Sequence, residues 1–449
     1  MHISKPYTQE STSETSKLCR SHTSFLQSTL EDLFQSDQSM QLQSVRTMKS
    51  ILVHDEQYTE NCHTIINHPN LVSRLCELAT DQTCAFELRL ESSCILANLA
   101  SVSGEALNTL VNTDFLGTII SLMKGENPKI VELAYVAIGN IIGDTDHRNT
   151  VLRTYGDCIL DRGRHLIQLN DNAFEAAVAR FIWTMMNIVR PTFDVEFEFL
   201  IPKIIYIATI LFNDYTHLTS ETTNDIAWTI AFITDIEVLE EDYFDTELLV
   251  NMRDLIDSNT KTTSKAAFRT IGNIIADSDY YTQILVNDKV TDYIGNEILH
   301  NGANAKDTKD ALLVLSNIVI DESGPFVDHL LKDDLATHII NMVNENVSEE
   351  AFFVIINAFV GADYAQSVAL ANVGAVDAIC RHLSNDRQDL VFGALEAILS
   401  MLTKDGSISV FQEKLTMNGA FEQMDKLMEE DCLPAHANLI REIMVYKHS

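Results

Sequence analysis

Glycine and proline are scarce in this chain, with 16 and 7 residues among 449. So little turn chemistry argues against an all-β or loop-rich fold and for helices. No run of about 18 apolar residues occurs, so no helical span of a bilayer is expected. The opening MHISKPYTQESTSETSK is polar and carries no apolar stretch, so it does not read as a secretory signal. The cysteines (Cys19, Cys62, Cys76, Cys84, Cys94, Cys158, Cys380 and Cys432) form no C-x-x-C pair and no regular framework. They read as reduced thiols of a cytosolic or nuclear compartment.

Basic residues are also in short supply, 31 against 65 acidic, for a formal net charge of -34. Acidic surfaces keep helices soluble. A field of this sign also repels nucleic acid and anionic membrane and attracts basic peptides, so direct DNA or RNA binding is not expected. Catalytic signatures are missing as well. There is no Walker loop, no H-E-x-x-H and no G-x-S-x-G. His54, His63 and His68 are too irregularly spaced for metal ligation. The pairs Glu240–Glu241 and Glu349–Glu350 fall in connectors or helix starts, where acidic side chains answer the helix dipole. Neither an enzyme, a metal nor a cofactor is expected.

What is present is a recurrent asparagine. Asn98, Asn140, Asn187, Asn273, Asn317 and Asn357 sit in the frames ILANLAS, AIGNIIGD, MMNIVR, TIGNIIAD, LSNIVID and IINAFVG. Asparagine is a mediocre helix former, yet each of these lies inside an apolar helical segment. With Phe232 filling the place between Asn187 and Asn273, the frames return with a period of about 40–47 residues. That period, with two or three helices per unit, is the signature of armadillo or HEAT arrays. Each unit shows a shorter helix such as NVGAVDAICRHL, a longer one such as TKDALLVLSNIVID, and a polar connector such as GDTDHRN. The longer helix is apolar nearly all round, so it is expected to be buried between neighbours with one narrow stripe exposed. The asparagines are expected on that stripe. Fold expectation is therefore all-α: a right-handed superhelical solenoid of about ten armadillo repeats. Residues 1–22 are expected to form a disordered tail, and residues 23–449 the repeat domain.

The stretches ESSCILANLAS, AIGNIIGD, FIWTMMNIVR, NDIAWTIAFITD, FRTIGNIIADSDYYTQ and LVLSNIVID carry a resemblance to the importin-α family, over nearly all of residues 24–445. The family's repeats pair each Asn with a Trp four residues earlier. The resemblance implies asparagines holding an extended cargo backbone. Indole walls would hold Lys and Arg stems between them, with acids at the edge. In the half that matches the family's major site, Asn98, Asn140 and Asn187 are present, with Cys94, Val136 and Trp183 at the wall positions. Trp228 is kept in the next repeat, with Phe232 in the usual Tyr place, and Asp144 and Asp225 match groove acids. In the half that matches the minor site, Asn273, Asn317 and Asn357 persist. Arg269 matches the family's own Arg, the remaining walls are Leu313 and Phe353, and Asp310 and Glu350 keep the acidic position. Each lost wall removes roughly 0.5–2 kcal/mol of cation–π attraction. Two or three together would cost about ten- to a thousandfold in affinity.

No counterpart of the family's Arg/Lys-rich importin-β-binding segment is recognisable in the residues ahead of the first repeat. The first 25 positions hold Lys5, Lys17 and Arg20 against Glu10 and Glu14. Self-inhibition by such a segment is not expected. The resemblance implies a nuclear import adaptor, shuttling between cytoplasm and nucleus, that takes cargo proteins bearing basic localisation signals. It also implies importin-β and the family's export receptor as partners. The alternative is an armadillo scaffold that keeps the fold without productive import.

Overall fold

The computed structural model describes residues 31–54, 58–191, 193–236, 244–276, 278–302, 305–320, 326–332, 334–345, 348–404, 408–429 and 433–448. The expected tail, residues 1–22, and the pair Glu240–Glu241 lie outside them. Among the described residues all regular structure is helical. The chain divides into two compact units, Met1–Leu248 and Leu249–Ser449.

In the first unit the helices are α1 (Gln38–His54), α2 (Tyr58–Asn67), α3 (Leu71–Thr80) and α4 (Phe86–Leu99). Next come α5 (Glu105–Val111), α6 (Phe115–Met123), α7 (Pro128–Gly143) and α8 (Thr145–Leu169). The unit is completed by α9 (Glu175–Ile188), α10 (Ile201–Asn213) and α11 (Ser220–Thr234). The inner helices stack in chain order, α1 on α4, α4 on α7, α7 on α9 and α9 on α11. In α7 every residue from Ile130 to Ile142 is buried except Asn140. Local signals explain its start: the Asn127 side chain accepts from the Lys129 and Ile130 amides, and Pro128 fills the first turn. A capping box between Thr219 and Thr222 does the same for α11. Buried Arg148, on α8, ties two repeats together: Nε donates to the Ile142 carbonyl at 3.1 Å and Nη1 to the Arg190 carbonyl at 3.3 Å.

The second unit contains α12 (Thr246–Asp254, which begins at the boundary), α13 (Lys261–Ile275), α14 (Asp279–Leu285), α15 (Asp288–His300) and α16 (Lys306–Val319). It continues with α17 (Phe326–Leu330), α18 (Leu335–Asn344), α19 (Glu349–Gly361), α20 (Tyr364–Asn372) and α21 (Ala375–His382). It ends with α22 (Gln388–Thr403), α23 (Ile408–Met417), α24 (Ala420–Glu429) and α25 (Pro434–Met444). Here α13, α16, α19, α22 and α25 stack in succession. The turn into several of the second helices repeats a backbone device: Asp334 and Gly374 take positive φ immediately before α18 and α21, as Asn70 does before α3. Those residue types bear the left-handed conformation at least cost. No described helix is long and apolar enough to cross a membrane.

Candidate functional site

The inner helices of the first unit bring the expected residues together around α7, α9 and α11. On α9, Trp183 and Asn187 lie one turn apart and share a face. Gly139 on α7 makes room for the indole: a Cβ there would stand 2.2 Å from Trp183 Cζ3. The half-buried Trp183 ring therefore lies across the backbone of the preceding repeat. On α11, Trp228 pairs with Phe232, ring centroids 5.4 Å apart. Trp228 is half-buried too.

The asparagines depart from the expected exposed stripe. Asn98 and Asn187 are buried at 1 % and 0 % exposure, while Asn140, Asn273, Asn317 and Asn357 are half-buried. Asn187 Nδ2 donates to the Gly139 carbonyl at 3.1 Å, and Asn357 Nδ2 donates to the Ser316 carbonyl at 3.0 Å. Gly139 and Ser316 are the residues immediately before Asn140 and Asn317. The same bond thus recurs in both units, from one repeat's asparagine to the carbonyl just ahead of the previous one. These amides staple neighbouring inner helices, which is a structural use of a polar side chain in an apolar setting. One amide hydrogen of each remains, and the Oδ1 atoms of Asn140 and Asn187 are buried with no hydrogen-bond partner among the described residues. Unsatisfied acceptors of this kind cost about 1–3 kcal/mol.

The acids differ from one another. Asp144 caps α8, accepting from the Asp146 amide at 3.1 Å and from His147 Nδ1 at 2.9 Å. His147 Nε2 lies 2.8 Å from the Asn108 side-chain amide, so the carboxylate is drawn into a polar chain centred on the buried His147 ring. Asp225 is half-buried one turn before Trp228. Burial, and then the nearby Glu221 charge, push its carboxyl up to about 7, against the opposing effects of Asn224, Arg180 and Arg190.

In the second unit Arg269 and Asp310 are exposed and Phe353 is half-buried, while Leu313 is 46 % exposed. Desolvation raises the Asp310 carboxyl, with Lys306 and Arg269 opposing. Burial would raise Glu350 too, but the Ser348 hydroxyl bond and Lys309 outweigh it and hold the carboxyl below its ordinary range. Ser348 Oγ donates to Glu350 at 2.7 Å, and Lys309 Nζ stands 3.6 Å from it. This pairing is part of a pattern in which a base on one inner helix meets an acid on the next. Lys49 meets Glu91 at 2.8 Å in the first unit, and Lys265 meets Asp307 at 2.7 Å in the second. The chain's own lysines therefore already occupy some of its inner acids.

Arg180 was not singled out from the sequence, although its signal is readable there. It stands three residues before Trp183, the position that holds Asp225, Asp310 and Glu350 before Trp228, Leu313 and Phe353. The sign of the charge is inverted at that one repeat. Among the described residues no group of three or more His, Cys, Asp or Glu could hold a metal ion.

Comparison with known proteins finds partial similarity at low identity. Importin subunit alpha-1b of Oryza sativa subsp. japonica is 23% identical over 222 residues, covering 48% of this chain and 39% of that protein. Importin subunit alpha-2 of Arabidopsis thaliana is 22% identical over 204 residues, covering 45% and 36%. The matched stretch thus spans less than two-fifths of either relative. No family model matches the chain. Among solved structures, a crystal structure of an engineered protein superposes with a TM-score of 0.67 at 17% identity, over 94% of this chain and 99% of that one. A chain from a study of a phosphorylation switch between cadherin and β-catenin superposes with a TM-score of 0.65 at 12% identity, over 94% and 79%. The fold is an all-α, armadillo-like helical stack, with partial similarity to importin-α.

Proposed function

We propose that the chain is an importin-α-like adaptor that holds an extended, basic segment of a cargo protein on the inner face of its first unit. The observation that carries this reading is the pair of half-buried indoles on successive inner helices, Trp183 and Trp228, with Asp225 one turn from the second. An alkyl-ammonium stem lying on an indole gains about 0.5–2 kcal/mol, and a nearby carboxylate takes the charge. Asn140 and Asn187 support the backbone of such a segment through the Oδ1 atoms that lack a partner among the described residues, once local movement uncovers them. Asp144 contributes field rather than contact while it caps α8. The overall charge of -34 draws a basic segment in. Transit between cytoplasm and nucleus, with importin-β and an export receptor as partners, belongs to the same reading.

A second reading is favoured for the inner face of the second unit, where Arg269, Asn273, Asp310, Asn317, Glu350, Phe353 and Asn357 were expected to form another cargo site. Lys309 meets Glu350 and Asn357 is bonded to Ser316, so intrachain partners hold two of these positions. We assign this face mainly to scaffolding. Calorimetric titration with a lysine-rich peptide tests both readings: Asp225→Lys should abolish binding and Glu350→Lys should leave it within about threefold. Loss through Glu350→Lys with no loss through Asp225→Lys would reverse the assignment.

The acid imposes a pH dependence. A carboxyl near 7 is largely protonated below that pH, and a peptide cation prefers the ionised form. Affinity should therefore rise by up to about tenfold between pH 6 and 8 and then level off. In Asp225→Asn the profile should be flat across that window.

A further inference from the structure

One charge on the inner face of the first unit stands apart from the rest. The row of residues three places before each wall position reads Glu91, Leu133, Arg180 and Asp225, on α4, α7, α9 and α11. Glu91 is already held by Lys49 at 2.8 Å, with Arg46 at 3.8 Å, and Leu133 is buried. That leaves Arg180 beside Asp225, a base and an acid in equivalent places on stacked helices. Packed helix axes lie about 8–10 Å apart, so the two heads serve the same stretch of the inner face.

Arg180 differs from other inner bases in having no partner. Lys49, Lys265 and Lys309 each meet an acid on the next inner helix. Among the described residues Arg180 makes no ion pair and no side-chain hydrogen bond, and it acts on the Asp225 carboxyl only through space. Register supplies the reason. Lys309 stands four residues before its wall position, Leu313, and reaches Glu350, three before Phe353. The place equivalent to Lys309 on α9 is Ala179, and the base has moved one residue on, about 100° around the helix. Arg180 is half-buried, so donors left unmatched there carry a desolvation cost that a ligand can relieve.

We propose that Arg180 selects an anionic side chain, carboxylate or phosphoryl, within one or two residues of the lysine held by Trp183 and Trp228, resting on the reading above that the inner face takes a basic segment. Three residues separate Arg180 from Trp183, a rise of about 4.5 Å along α9. An extended segment advances about 3.3 Å per residue and turns alternate side chains to opposite sides. A neighbour of the lysine therefore comes within reach of the guanidinium, whose planar fork takes two oxygens of one anionic group. Asp225 holds the lysine, while Arg180 repels a second one at the adjoining position. Arg190, just past the end of α9, acts on the same carboxyl, with Glu221 opposing, so both signs of charge line this stretch. It favours a segment of mixed charge over an unbroken run of lysines.

Fluorescence anisotropy of labelled peptides tests the assignment. A lysine-rich parent is compared with a set in which one glutamate, or one phosphoserine, walks through the positions between and beside the lysines. At one position the anion should strengthen wild-type binding about three- to tenfold, although the net positive charge of the peptide falls. Arg180→Gln should erase that gain and leave the parent bound as tightly or more tightly. Arg180→Glu should tighten the parent about two- to fivefold and turn the gain into a loss. Neither substitution leaves a partner unpaired, so unfolding midpoints should stay close to wild type. A gain with phosphoserine alone would identify the anion as a phosphoryl group. An anion that weakens wild-type binding at every position overturns the assignment, as does a gain that survives Arg180→Gln. Either result, with the parent still bound, leaves the adaptor reading standing, whereas failure of every peptide, the parent included, removes both.

Discussion

Replacing Gly361 with alanine is expected to destabilise the second unit by about 3 kcal/mol or more, while the same change at Gly295 stabilises it by roughly 0.5–1 kcal/mol. Both glycines are helical and both belong to that unit. A Cβ on Gly361, the last residue of α19, would stand 2.1 Å from the Val319 carbonyl oxygen and 3.0 Å from Ile320 backbone atoms at the end of α16. Backbone cannot swing aside as a side chain can, so two packed helices would have to part. Relief on the other side is closed as well, because Lys404 Nζ donates to the Val360 and Ala362 carbonyls around the same turn. A Cβ on Gly295 in α15 would meet nothing within 4 Å. There only the better helix propensity of alanine is felt. Thermal unfolding followed by circular dichroism should show Gly361→Ala lowering the midpoint of the unit by about 6–12 °C. Equal midpoints for the two variants would mean that the inner helices do not approach as closely as described.

The double substitution Trp183→Ala, Trp228→Ala is expected to weaken a lysine-rich peptide by about five- to a thousandfold, the sum of two walls at roughly 0.5–2 kcal/mol each. The two indoles should not contribute equally. Trp183 lies across Gly139 and is partly consumed by packing between repeats, so Trp183→Ala removes inter-repeat contact as well as a wall. Its variant should lose stability as well as affinity, whereas Trp228→Ala should lose chiefly affinity, although Phe232 would also lose a ring neighbour. Calorimetry with the single and double variants, each checked by its unfolding midpoint, separates these contributions. Peptide affinity unchanged in the double variant would remove the walls from the account.

The repeat period and the helical class were legible because a recurring Asn inside apolar helices has few other causes. The frames AIGNIIGD and TIGNIIAD also mark where the inner helices end. The use made of the amides was not legible. Frame matching says that Asn187 and Asn140 occupy equivalent places, but it carries no information on the Gly139 carbonyl, which comes within 3.1 Å of Asn187 Nδ2 only after two helices stack. Charge pairing was hidden for a similar reason. Lys309 and Glu350 are a full repeat apart, and no local rule joins them. Arg180 could have been found by asking what stands three residues before each wall.

The chain's only tryptophans are the two proposed walls, Trp183 and Trp228. Indole fluorescence therefore reports on that inner face and on nothing else in the protein. Titration with an extended lysine-rich peptide, read by tryptophan emission at neutral to mildly alkaline pH, tests the adaptor reading most directly. The account predicts a saturable change in emission in the micromolar range, diminished by added salt and absent with a peptide in which the lysines are replaced by glutamates. Emission that stays constant to high micromolar peptide, or that responds equally to both peptides, would contradict it.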